Sequence, residues 1–242
     1  SLLEQKYNNY LASVVVKSEI AGLSYVDIST GEFLTTEVPI EDLAVEIDRI
    51  APAELITTPN TDITEMDTDI FVTKLENPEA LDPTSSVRIL LEQFGVSSLE
   101  GFGCDDLPMA IWAASNLITY LSYTQNAVLS GITGLRTYHI GLYMKMDRQT
   151  HQTLELFKGG RKGESSKSLV SMIDLTHTPP GGRLLRAWIG QPLLDLEALE
   201  QRQIAVDNLY HKTNLRKDIS NKLNSIPDIE RILSKIVTRK AI

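Results

Sequence analysis

The sequence predicts an α/β domain followed by an all-α domain, and three observations carry the prediction. Three runs rich in β-branched and aromatic residues open the chain with short connections, and helix-spaced and strand-like segments then alternate to about residue 125. Beyond residue 137 no strand pattern recurs, and apolar residues return at helical spacing to the end. Charge changes at the same place: residues 1–136 hold 6 Lys and Arg against 21 Asp and Glu, whereas residues 137–242 hold 17 against 11. At 242 residues two domains are the natural expectation, so the division is placed at 1–136 and 137–242.

Residues 9–17 read as the first strand, with no Gly or Pro to interrupt them. Residues 23–29 and 32–36 read as two more, joined across Thr30 and Gly31, so short connections make the three an antiparallel meander. Helical spacing begins with Ile40, Leu43, Ala44, Ile47 and Ile50. Short strands are predicted at 54–58 and 69–75, each flanked by Pro, Asn or Asp. Val87, Leu90, Leu91 and Phe94 mark a second helix that Gly95 ends. A third opens near Asp106 and Pro108 and runs to about Gln125; its Ala110, Ala113 and Ala114 suit it to lie close against a sheet.

In the second half, Thr150, Leu154 and Phe157 predict a helix from Met146 to Gly159 and Gly160. Thr178 is an N-cap and Pro179 suits the first helical position, so a helix starts there, with Leu184, Leu185, Trp188 and Ile189 on one face expected to be core. Gly190 and Pro192 stop it, and Asp195 caps the next helix, expected to bury Leu196, Leu199, Val206 and Leu209 or Tyr210. Leu215, Ile219 and Leu223 mark another helix, and Ile229, Ile232, Leu233, Ile236 and Val237 a last one.

A meander of three strands followed by alternating helix and strand describes a ribonuclease-H-like three-layer α/β domain. The stretch 174–195 adds a family resemblance. Asp174, Thr176, Thr178, Pro179, Gly181, Arg183, Leu185, Arg186, Trp188, Pro192, Leu193 and Asp195 stand where the MutS family of bacterial mismatch-repair proteins has the entry to its core domain. Pro180 and Ile189 replace the usual Met and Leu and keep those sites apolar. The first half resembles the connector domain of the same family through Asn8 to Leu11, Asp27 to Gly31, Pro52 to Leu55, Gln93 to Gly95 and Gly101 to Gly103.

The resemblance implies a ribonuclease-H-like connector domain over 1–136 and the beginning of a partial helical core, or lever, domain over 137–242. It implies a non-catalytic fragment that couples a mismatch-binding domain to an ATPase domain, neither of which these residues contain. ATP and Mg²⁺ then belong to the full-length family protein, with no cofactor and no metal in the fragment. The implied partners are MutL, a second copy in the family dimer, and mismatched duplex DNA through the full-length protein only. Within the connector the resemblance places MutL docking on the second helix, where Arg88 and Glu92 lie four residues apart and are expected to face away from Val87, Leu90 and Leu91.

Other candidates carry weaker chemistry. The segment 159–168 imitates the end of a phosphate-binding loop in Lys167 and Ser168, but has Arg161 and Ser166 where that loop needs Gly, and no strand precedes it. Arg161, Lys162 and Lys167 are candidate phosphate-backbone contacts, against the plainer reading of a solvated basic loop. A two-metal nuclease with a helical accessory domain is an alternative function; Asp27 closes an early strand as a catalytic Asp would, but Glu46, Asp48, Asp69 and Glu92 are spread through an acidic surface with no signature spacing. Capping the turn at Thr30 and Gly31 is the plainer role for Asp27. A general scaffold module is the third reading. The four histidines are scattered without metal-ligand spacing, and Cys104, the single cysteine, is expected to pack. With no long apolar run and no basic-then-apolar leader, a soluble, cytoplasmic protein without membrane contact is expected.

Overall fold

The computed structural model describes residues 5–59, 61, 70–75, 83–160 and 164–238. They form two compact units, one of residues 8–139 with 231–238 and the other of residues 5–7 with 140–230.

The first unit is built on a sheet. β1 (Tyr10–Lys17), β2 (Ile20–Asp27) and β3 (Phe33–Pro39) form the antiparallel meander, α1 (Ile40–Ile50) follows, and β4 (Glu54–Thr57) pairs parallel to β1. β5 (Phe71–Lys74) pairs parallel to β4; α2 (Pro83–Phe94), α3 (Pro108–Thr124), α4 (Asn126–Leu129) and β6 (Arg136–Thr137) complete the unit, and the sheet order is β5-β4-β1-β2-β3-β6. Residues 11–15 of β1 are all buried, which a strand achieves only when both faces of its sheet are covered. One face packs through Leu11, Val26, Phe33 and Ile56 against α2 and α3; α1 buries Leu43, Ile47 and Ile50.

The alanines of α3 let it approach the strands as the sequence predicts, and the other half of that fit is Gly22 of β2. A Cβ there would stand 1.9 Å from the Met109 carbonyl oxygen. Glu37 of β3 reaches the same end of α3, its Oε1 accepting from the Met109 amide at 2.6 Å. This carboxylate takes up an N–H that has no partner inside the helix.

β2 starts earlier and β3 ends later than the sequence pattern suggests, because their ladder continues to the pair Ile20 and Pro39. β6 includes Thr137, on the side of the division where no strand is expected; two residues are too few to show alternation, and the strand exists by pairing with Leu34 and Thr35. Residue 69 of the expected strand 69–75 lies outside the described residues.

The second unit holds α5 (Arg148–Thr153), α6 (Leu169–Ile173), α7 (Pro179–Gly190), α8 (Leu196–His211) and α9 (Thr213–Leu223); α10 (Ile229–Val237) begins in it and has its residues from Arg231 onward grouped with the sheet unit. The caps expected at Thr178 and Asp195 are present, accepting from Gly181 N and Ala198 N. The helix expected from Met146 to Gly159 is only α5. Its continuation fails because Glu155 turns to a φ of 49° and the carbonyls of Glu155 and Leu156 accept from Leu169 and Val170 instead.

The apolar stripes of α7 and α8 are not the expected core. Leu184 is 52% and Trp188 41% exposed, while α7 buries Gly182 and Arg183. Leu196, Val206 and Tyr210 of α8 are exposed too, and α8 has no buried residue. Leu185, Ile189 and Leu199 of these stripes are half-buried, and the Trp188 ring lies under the Arg202 guanidinium, 3.8 Å from its centroid.

Candidate functional site

α2 presents a mixed face to solvent. Leu90 and Ser86 point inward, with Ile89, Leu91 and Phe94 partly buried against the core. Arg88 and Glu92 stand outside, paired at 3.1 Å with side chains 55% and 65% exposed. Val87, expected to turn inward with Leu90 and Leu91, is 41% exposed. The reason is angular: Leu90 sets the buried direction, and Val87, three residues before it, is rotated far enough to reach the margin. The exposed surface of α2 therefore offers a cation and an anion, with an apolar side chain at its margin. An exposed pair of this kind stabilises a helix by about 0.5 kcal/mol at most, and cation-before-anion is the weaker orientation, so helix stability gives little reason for it.

Asp27 is fully committed to its turn. Its Oδ1 accepts from the Ser29 amide at 2.8 Å and the Ser29 hydroxyl at 2.6 Å, its Oδ2 from Asn8 Nδ2 at 2.7 Å, and its carbonyl from the Gly31 amide at 2.8 Å. The Ser29 hydroxyl in turn accepts from Arg231 Nε at 3.1 Å. These bonds make it the cap of the turn at Thr30 and Gly31. Glu46, the other buried carboxylate weighed for metal chemistry, accepts instead from Arg49 Nε at 2.9 Å and from the Tyr138 hydroxyl at 3.2 Å. Arg49 also lies over the Tyr25 and Tyr138 rings, at 5.7 and 5.3 Å from their centroids. Burial pushes both tyrosine hydroxyls above the ordinary value, so they stay protonated donors. Among the described residues no group of three or more His, Cys, Asp or Glu is arranged to hold a metal ion.

The described ends of the glycine-rich loop are tied to each other. Gly159 and Glu164 exchange both backbone hydrogen bonds, the Gly160 amide donates to Glu155 Oε1 at 2.8 Å, and Lys167 pairs with Glu164 at 3.0 Å. The described amides of Gly159, Gly160 and Glu164 thus already donate to carbonyl and carboxylate oxygens and are not turned towards a phosphate. Lys167 is exposed but paired; Arg161 and Lys162 lie outside the described residues. Cys104 is fully buried and its thiol is pushed up by that burial, which makes it packing.

Two groupings escaped the sequence reading, although the matched stretch 174–195 contains their key residues. Arg183, 5% exposed, forks onto both oxygens of Asp228 at 2.7 and 2.8 Å, reaches Glu230 at 2.5 Å and donates to the Gln5 carbonyl at 2.8 Å. Asp228 above all, with Glu230, holds this guanidinium in its charged form. Asp174 accepts through Oδ1 from Lys6 Nζ at 2.9 Å and from the Thr176 amide and hydroxyl at 3.0 and 2.5 Å. Arginine and aspartate at fixed motif positions signal such roles, but their partners lie too far along the chain for any spacing to show them.

Comparison with known proteins matches residues 9–133 to the family model for MutS domain II and residues 149–242 to that for MutS domain III. The chain is similar to the DNA mismatch repair protein MutS of Trichormus variabilis, with 37% identity over 97% of this chain and 29% of that protein. It resembles the proteins of the same name from Thermosynechococcus vestitus, at 38% over 97% of this chain and 28% of that one, and Halothermothrix orenii, at 39% over 97% and 27%. The chain thus spans under a third of the length of these relatives. Among the described residues no helix is long and apolar enough to cross a membrane.

Proposed function

The chain belongs to the MutS family of DNA mismatch repair proteins, and from that membership we propose that it serves as the connector and core segment through which mismatch binding and ATP hydrolysis are coupled. In this reading residues 1–136 are a ribonuclease-H-like connector, supported by a sheet in which an antiparallel meander of three strands is extended by parallel β4 and β5 on one side and by the short parallel β6 on the other, and residues 137–242 begin the helical core. The segment itself is non-catalytic. ATP with Mg²⁺ acts in the ATPase part of the full-length protein, which works in the cytoplasm as a dimer and meets mismatched duplex DNA through its other parts. The acidic balance of residues 1–136 favours this, since a phosphate backbone is repelled by such a surface.

The observation that carries the partner assignment is the outward face of α2, where Arg88, Glu92 and Val87 stand exposed in a part matched to MutS domain II. This face docks MutL. Mixed charge beside an apolar anchor gives orientation and contact area together, which exposed helix pairs alone do not supply. Arg88→Glu, placed in the full-length protein, is expected to weaken MutL recruitment on mismatched DNA about tenfold while leaving mismatch affinity unchanged. Equal MutL recruitment by variant and wild type, measured by surface plasmon resonance on end-blocked mismatched duplex, would reject the assignment.

A further inference from the structure

Where β2 begins and β3 ends, the sheet unit carries an open groove of about 620 Å³. Its shape follows from local backbone geometry. Ser18, at a φ of 58°, turns the chain between β1 and β2, and the Ile40 amide donates to the Glu19 carbonyl at 2.9 Å, which ties that turn to the start of α1. Ile20 and Ile40 thereby flank the groove, 47% and 43% exposed, with Val38 and Pro39 between them.

Three carboxylates share this groove, and they differ in kind. Glu37 is held by the amide N–H groups at the start of α3, where the positive end of the helix dipole offsets its charge. Glu19 and Glu41 are exposed at the rims, and among the described residues neither has an ion-pair or side-chain hydrogen-bond partner. No Lys or Arg lines the groove. The result is an apolar floor between two exposed carboxylates without a cationic side-chain partner, Glu41 in the first turn of α1 and Glu19 in the turn before β2, on a half-chain that already carries 21 acidic residues against 6 basic ones.

We propose that this groove docks a short cationic and apolar segment of a partner protein, its leucine or isoleucine side chains on Ile20 and Ile40 and its lysine or arginine side chains on Glu19 and Glu41. Both halves of that chemistry are required. Apolar contact removes the two isoleucines from water, and the flanking cations answer charges the fold leaves unpaired. The surrounding negative field draws such a segment in and repels nucleic acid. The groove is formed by elements other than α2, so the proposal stands independently of MutL docking.

A fluorescein-labelled peptide alternating lysine with leucine and isoleucine tests it by anisotropy against the 242-residue chain at low salt. Two control peptides replace its apolar residues by serine or its lysines by glutamate. Saturable binding of the first peptide alone is expected. Glu19→Gln combined with Glu41→Gln should weaken it about fivefold to tenfold, Ile40→Ser by a similar factor, and Arg88→Glu not at all. Equal binding of the serine peptide would show bulk charge attraction and overturn the proposal. So would indifference to the double Gln variant, or the absence of saturable binding. Should Ile40→Ser melt early, the double Gln variant decides alone, since both of its side chains are exposed.

Discussion

Arg183 sits in the matched stretch with its side chain shielded from water, and what makes that tolerable is the fork it forms with Asp228, together with Glu230 and the Gln5 carbonyl. A buried guanidinium that loses its main partner keeps the desolvation cost without the compensating attraction, a loss of about 3–5 kcal/mol. Asp228→Asn is therefore expected to lower unfolding free energy by about 3 kcal/mol in urea titrations, with Glu230 retaining part of the pairing. A midpoint within error of wild type would show that the fork contributes nothing. Asp174 makes a pH-dependent counterpart. Burial acts to raise its pKa, but the hydrogen bonds from Thr176 and Lys6 outweigh burial and hold the carboxyl below the ordinary value. A folded-state pKa below the unfolded one, about 3.9, means stability that is complete above that pH and disappears as pH falls through the folded value. Asp174→Asn should thus be less stable than wild type at pH 6, with the gap closing below about pH 4. A gap of constant size across that range would place the contribution of Asp174 in packing rather than in its charge.

At the scale of elements, the approach of α3 to the sheet rests on Gly22. The atoms a Cβ would meet there are the Met109 carbonyl oxygen at 1.9 Å and its carbon at 2.2 Å, both backbone, so no side-chain rotation relieves the clash. Gly22→Ala is expected to cost about 1–3 kcal/mol in thermal or urea unfolding. Gly134→Ala is the matching control, since a Cβ at Gly134 has nothing within 4 Å. Comparable losses at both positions would mean that close packing of α3 is not the cause. The alanines of α3 were readable in advance, but the glycine facing them was not, because sequence shows which residues suit a close approach and not which strand they approach. The same limit explains α7 and α8. Periodicity groups Leu184 with Trp188, and Leu196 with Val206, on shared faces, yet whether a face is covered depends on neighbours that periodicity does not contain. In α5 a local pattern was overruled by distant amides, those of Leu169 and Val170, which claimed the carbonyls a longer helix would have used. The meander, α1, α3 and the caps at Thr178 and Asp195 were legible because each is specified by residues adjacent in the chain. On α2, the pairing of Arg88 with Glu92 was legible from spacing, whereas the exposure of Val87 depended on the exact orientation of the helix over its core.

For the molecule as a whole, α10 poses the largest energetic question, because its amphipathic character is turned outward. Arg231 is bonded to Ser29, and Ser234 and Thr238 lie so close to Gly131 that a Cβ there would meet them at 3.5 and 3.3 Å, so the polar side of the helix is the packed one. Ile229, Ile232, Leu233, Ile236 and Val237 are between 42% and 56% exposed. A nine-residue helix is marginal in water by itself, so this one persists through the contacts of its polar side. Contiguous apolar surface of this kind favours association, and two copies meeting face to face about a two-fold axis is the simplest closed form. The 242-residue chain is accordingly expected to sediment with a concentration-dependent coefficient in the micromolar range. Ile232→Glu combined with Ile236→Glu places two carboxylates on the outward face without touching Arg231, Ser234 or Thr238, and should return the chain to monomer with its melting temperature preserved. If the double variant self-associates as strongly as wild type, the contact does not run through α10, and the exposed side of α8, with Leu196, Val206 and Tyr210, becomes the surface to substitute next.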